Sequence, residues 1–142
     1  MNTRIGLILV YAAIQIPFSV FLIYGFVGGI PVELDEASIL DGCNSVQLFS
    51  LVILPLLKPV IITVFILNFL NTWNEFVLPL YYMNDSRSWP MTLSIYSFFG
   101  RFSSDWHLVC ADIVLMCIPV VAVYIIGQKY IISGMTAGAV KG

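Results

Sequence analysis

The chain is 142 residues long, 60% hydrophobic and only 10% charged, with a mean hydropathy of +0.98 and a formal net charge of −2. Soluble domains carry about 25% charged residues, so this chain has too few to cover a globular surface, and lipid or other apolar protein must be the solvent for most of it. The charge balance leaves no basic footprint for nucleic acid, and three cysteines with one histidine, none at metal-ligand spacing, give neither a metal site nor a disulfide framework.

The first element is an apolar segment from Ile5 to Gly29, interrupted only by Gln15 and Pro17. A helix needs about 20 mostly apolar residues to cross the hydrocarbon core, so this is a membrane span. It does not read as a signal peptide. The apolar core of such a peptide is roughly 7–15 residues and ends at a small-residue cleavage site, whereas here Gly28-Gly29 is followed by Pro31. Gln15, beside Pro17, is expected to repair the kink that proline makes.

Next comes a polar stretch, 30–59, in which Glu33, Asp35, Glu36 and Asp41 place half of the chain's eight carboxylates within nine residues. Pro31 has the backbone torsion favoured at a helix start. The acids that follow sit near the positive end of the helix dipole. A helix running to Asp41 would stop at Gly42, which supplies the left-handed residue that ends many helices. Asn44 or Ser45 can cap a second helix, one that presents Val46, Phe49 and Leu51 to Leu54 until Pro55 and Pro59 disturb it. Start, charges, stop and second cap agree, which points to a helix–glycine–helix docking corner along the membrane face rather than a solvated loop.

The second span is expected over 60–83. It carries Asn68, Asn71 and Glu75 at i, i+3 and i+7, one face of a helix, with Asn74 beside them. A charge at the bilayer centre costs about 2.5–3.5 kcal/mol on insertion scales. Glu75 therefore calls for water, a partner or a proton. Such a stripe either lines a solute pathway or bonds helices together. Pro79 adds a kink.

From Asn84 to Trp106 the chain is polar and aromatic, with a short interfacial helix expected around Thr92 to Phe99 and an aromatic belt including Trp89 and Trp106 at headgroup level. The third span is expected over 107–132, with Pro119 inside and Asp112 about one turn in, within reach of interfacial water. Three spans put the termini on opposite sides. Arg4, Arg87 and Arg101 fall on one side, Lys58, Lys129 and Lys141 on the other, so the positive-inside rule leaves orientation tied.

The corner carries a resemblance. Glu36-Ala37-Ser38, Gly42 and Ile53-Leu54-Pro55 resemble the EAA loop of ABC importer permeases, with Ser38 for the second alanine and Ile53 directly before Leu54. The wider pattern Pro31-x-Glu33-Leu34-x-Glu36-Ala37, Asp41-Gly42 and Leu54-Pro55-Leu56-Leu57-Lys58-Pro59 is similar to the carbohydrate-uptake, maltose-transporter-type branch. So are Trp73-Asn74-Glu75-Phe76 with Pro79-Leu80, and the ending Gly134-Met135-Thr136-Ala137-Gly138-Ala139-Val140-Lys141-Gly142.

The resemblance implies an all-α membrane protein with three transmembrane helices and a cytoplasmic helix–Gly–helix coupling loop at 30–59, the C-terminal half of a six-span permease in the cytoplasmic membrane of a bacterium or archaeon. The coupling role would fall on Glu33, Glu36, Ala37, Asp41 and Gly42. Asn68, Asn71, Asn74 and Glu75 are the pathway candidates, and no catalytic or metal residue is expected. The chain has no phosphate-binding Gly-rich Lys-Ser/Thr loop, so no cofactor is expected in it and ATP would be bound by a partner. The implied partners are that cytoplasmic ATPase subunit, a second permease subunit, an extracytoplasmic solute-binding protein and membrane lipid. The substrate class would be a sugar or sugar derivative. Two alternatives stand beside this reading: a nonfunctional truncated remnant, and a proton-coupled secondary transporter that would use Glu75. An intramembrane hydrolase would need a paired acid or a nucleophile–base set, and neither Asp112 nor Glu75 is spaced for one.

Overall fold

The computed structural model describes residues 3–98 and 105–139, the side chains of Ser97 and of 129–139 excepted. Phe99, Arg101, Phe102 and the ending Val140 to Gly142 lie outside the described residues. Among the described residues every regular element is a helix, the form that lets a segment in lipid satisfy its own backbone groups. Three helices, Arg4–Val27, Ser45–Asn74 and Trp106–Gln128, are long and apolar enough to cross a membrane. The expected all-α membrane fold with three spans is therefore the fold the chain adopts.

In chain order, α1 is Arg4–Val27 and α2 is Val32–Leu40. Then α3, Ser45–Gln47, passes through a π-helical segment, Leu48–Ile53, into α4, Leu54–Asn74. The short helices α5, Val77–Tyr82, and α6, Met91–Ser94, precede α7, Trp106–Ala139.

The second membrane-length helix differs from the expected 60–83 at both ends. Pro55 and Pro59 do not stop it. Proline in an α-helix removes one bond and crowds the carbonyl four residues earlier. Here the wide π turn comes first, with the Leu54 N–H donating to the Phe49 carbonyl five residues back, and Pro55 falls in the first turn of α4. The Pro59 carbonyl accepts from Thr63 Oγ1 at 3.0 Å. At the other end α4 stops at Asn74 because of Pro79. In a continuous helix the Pro79 ring would crowd the Glu75 carbonyl. The chain breaks at Glu75-Phe76 instead, and that carbonyl accepts from Thr92 Oγ1 at 3.1 Å. The expected kink at Pro79 is thus a complete break.

The chain divides into two compact units. One comprises the residues up to Ile16 with Leu67–Ile126; the other comprises Pro17–Ile66 and the chain from Gly127. In the second, buried Leu57, Val60 and Val64 pack with Leu22, Ile23, Phe26, Ile30 and Ile53. Lipid tails are as apolar as leucine, so this cluster gains van der Waals contact rather than release from water. Gly127 lets α7 approach Ile66 so closely that an added methyl would overlap that side chain. In the first unit the most buried side chains are Met83, Leu93 and Pro79. Trp89 Nε1 donates to the Met83 carbonyl at 2.9 Å and Asp85 Oδ1 accepts from Arg87 N at 3.1 Å, which fixes the turn between α5 and α6.

Candidate functional site: an acidic corner and a broken helix

The acidic corner forms from local chemistry. Pro31 is the N-cap of α2, extended at φ −63° and ψ 133°, one residue outside the helix. Glu33 and Asp35 lie in the first turn, where the dipole favours them. The helix ends at Leu40, with Asp41 as its cap residue. Gly42 follows at φ +84°. The Cys43 N–H reaches the Ser38 carbonyl at 3.0 Å, and the Gly42 N–H reaches the Ile39 carbonyl at 3.0 Å. This pair of bonds is the Schellman arrangement, which needs a left-handed residue between helix and exit.

Asn44, not Ser45, caps the second helix. Its Oδ1 accepts from Gln47 N at 2.9 Å, and Gln47 Oε1 accepts from Asn44 N at 2.9 Å, a reciprocal capping box. The second helix is not a separate surface piece, as expected from its prolines, but the first turn of the membrane-length helix Ser45–Asn74.

The two faces of α2 differ. Ser38 is buried and donates to the Leu34 carbonyl at 2.7 Å, so the serine in place of alanine satisfies its hydroxyl within its own helix. Asp35 Oδ1 also faces inward, without a hydrogen-bond partner among the described residues. Glu33, Glu36, Ala37, Asp41 and Gly42 are exposed. Positions 33, 36, 37 and 40 share one helix face, and Leu40 on it is 88% exposed. An acidic face centred on a bare leucine and alanine is suited to protein contact. Leu40 was not singled out from sequence; its spacing of four from Glu36 and three from Ala37 is the signal that could have found it.

The polar stripe of the second span is rearranged. Asn68 is half-buried, and Asn71 and Asn74 are exposed on α4. Glu75 is not on that helix face, because the helix has ended. Its Oε1 accepts from the backbone N–H groups of Val77 at 2.8 Å and Leu78 at 3.3 Å. Where the sequence leads one to expect water, a partner subunit or a proton for Glu75, the structure gives its Oε1 two backbone donors from the first turn of α5, of the kind that helix ends leave unpaired.

Around this break the first unit is built on aromatics. Trp73 stacks on Phe69, ring centroids 5.6 Å apart, and Phe76 stacks on Tyr96 at 5.4 Å. Trp73 Nε1 donates to the Met116 carbonyl at 3.1 Å, in the turn of α7 that precedes Pro119. Gln15 donates its amide to Thr72 Oγ1, a cross-helix bond that the sequence did not point to. Asp112, expected to meet interfacial water, is 9% exposed and accepts from Ser94 Oγ at 2.8 Å. Trp73 and Thr92 line two cavities, of about 250 Å³ with Tyr11 and Phe69, and about 370 Å³ with Asn74, Phe76 and Met116.

The sequence matches, over residues 2–137, the family described as the binding-protein-dependent transport system inner membrane component. It is 39% identical over 138 residues to the multiple sugar-binding transport system permease protein MsmG of Streptococcus mutans, covering 96% of this chain and 50% of that protein. It is 36% identical to the diacetylchitobiose uptake system permease protein DasC of Streptomyces coelicolor, covering 100% of this chain and 51% of that protein. It is 34% identical to the melibiose/raffinose/stachyose import permease protein MelC of Bacillus subtilis, covering 100% of this chain and 52% of that protein. The chain thus spans about half the length of the curated relatives it matches.

Proposed function

The chain belongs to the family of binding-protein-dependent transport system inner membrane components, multi-pass proteins of the cytoplasmic membrane, and from that premise we propose that it acts as a permease subunit of an ATP-driven importer for a sugar or sugar derivative. The sugar class is supported by relatives named for melibiose/raffinose/stachyose import, for diacetylchitobiose uptake and for multiple sugar-binding transport. The subunit does no covalent chemistry itself. A cytoplasmic ATPase subunit binds and hydrolyses ATP, a second permease subunit completes the pathway, and an extracytoplasmic solute-binding protein delivers the sugar.

The observation that carries the coupling role is the corner at Gly42. Its exposed face of Glu33, Glu36, Ala37 and Leu40 meets the ATPase subunit on the cytoplasmic side. The Schellman turn and the capping box then join that face to the helix Ser45–Asn74 through the amides of Gly42, Cys43, Asn44 and Gln47. A short helix tied in this way to a long one transmits displacement, because packed elements switch between arrangements rather than deform continuously. That helix carries Asn68, Asn71 and Asn74, which line the solute pathway in this reading. Glu75 acts there by capping the helix break.

Gly42→Pro tests the docking role. It should abolish co-purification of the ATPase subunit while membrane insertion persists; undiminished co-purification would remove the docking assignment. Uptake that survives ATP depletion and collapses with the proton gradient would instead establish a secondary transporter.

A further inference from the structure

A cavity of about 320 Å³ opens beside the start of α1. Arg4 is its cation, and among the described residues Arg4 forms no ion pair. Buried Leu7 and Met83 line it together with Ile8, which is 63% exposed, and with Ser88 and Trp89. The Trp89 indole N–H is already committed to the Met83 carbonyl, so Trp89 offers ring surface rather than a donor. Tyr11, Thr72 and Pro90 line both this cavity and the one lined by Phe69 and Trp73. Arg4 and Tyr11 are seven residues apart on one helix, about 10 Å along its axis. The groove therefore carries its one positive charge at the Arg4 end, with Leu7, Ile8 and Tyr11 along the next ten ångströms.

That gradient is the gradient of a lipid, not of a free anion or a protein helix. A free phosphate would leave the apolar lining unused. A helix face would have to bury the guanidinium against apolar side chains. We propose that this groove binds one anionic phospholipid, its phosphodiester held by Arg4 and Ser88 and an acyl chain lying along Leu7, Ile8 and Tyr11. Guanidinium matches phosphate oxygens in charge and in fork geometry. The lining residues include no carboxylate to meet an ammonium, so phosphatidylglycerol is favoured over phosphatidylethanolamine. Trp89 is of the residue type favoured at headgroup depth.

Native mass spectrometry of the full chain, purified and delipidated in detergent, tests this with phosphatidylglycerol, phosphatidylethanolamine or inorganic phosphate added. One phosphatidylglycerol should be retained about fivefold better than phosphatidylethanolamine, the ratio that one cation near a lipid surface supplies. Arg4→Gln should erase that preference and Arg4→Lys should keep it. Ile8→Trp should fill the groove and lower retention of both lipids, while Arg87→Gln, at an exposed cation outside the groove, should change nothing. Circular dichroism confirms folding of each variant; if Arg4→Gln unfolds, Arg4→Lys and Ile8→Trp decide between them. Unchanged phosphatidylglycerol retention in Ile8→Trp overturns the proposal, as does equal retention of the two lipids by the unmodified chain. Inorganic phosphate displacing the lipid would make the site an anion site, and a second copy of the chain retained in place of lipid would make it a protein interface; either result also overturns it.

Discussion

Trp73 donates its indole N–H to the carbonyl of Met116 at 3.1 Å, while its ring stacks on Phe69 one turn earlier on its own helix. This one side chain thus ties the last turn of α4 to the middle of α7, next to the point where α4 stops. Trp73→Phe keeps a ring and deletes the donor. Hydrogen bonds between membrane helices average about 0.6 kcal/mol, so Trp73→Phe should lower thermal stability in detergent only slightly. Trp73→Ala, which also empties the space between two cavities, should cost about 3–5 kcal/mol.

Glu75 separates a structural role from a chemical one. Glu75→Ala removes the acceptor of two backbone N–H groups, and loss of a cap costs about 0.5–2 kcal/mol. Glu75→Gln keeps an acceptor oxygen and removes the charge. Sugar uptake by the assembled transporter should fall in Glu75→Ala and recover in Glu75→Gln. Failure of the glutamine to restore uptake would mean that the carboxylate acts through its charge or proton.

Gly42 isolates backbone strain, since nothing lies within 4 Å of where a Cβ would sit. At φ +84° an L-residue meets its own carbonyl, a penalty of roughly 1–2 kcal/mol. Gly42→Ala should therefore loosen the Cys43 and Gly42 amides in hydrogen exchange, and Gly42→Asn, a residue that tolerates the left-handed region, should loosen them less. ATPase-subunit association should follow the same order.

Gly127 is limited by its neighbour instead. A methyl there meets the flexible end of Ile66, so Gly127→Ala should be tolerated after a small shift of that side chain. Gly127→Leu should destabilise the protein by about 1–3 kcal/mol through overpacking. The double variant Gly127→Ala with Ile66→Val should recover any loss seen with Gly127→Ala alone, as measured by thermal unfolding.

The acidic corner was legible almost residue by residue. Proline start, acids, glycine stop and asparagine cap each act on backbone groups no more than five residues away, so their chemistry is local. The extent of the second long helix was not legible. A window of hydropathy cannot see that a π turn accommodates Pro55, or that Pro79 acts on the Glu75 carbonyl four residues before it. The one-face stripe of Asn68, Asn71 and Glu75 failed for the same reason, because helical periodicity has no meaning past the last helical residue. Asp112 and Gln15 were placed against water and a local kink, and each found a hydroxyl distant in sequence, Ser94 and Thr72.

By itself the sequence determined the solvent, the number of membrane-length helices and the corner at Gly42, since these depend on apolar length and on bonds between near neighbours. Only the tertiary structure decided where the second helix breaks and what Glu75 bonds to. It also decided which face of α2 is bare and that Arg4 stands beside an apolar groove. Each of these depends on a partner brought close by packing: Thr92 for the freed carbonyl of Glu75, Met116 for Trp73, and Met83 and Trp89, which line one cavity with Arg4.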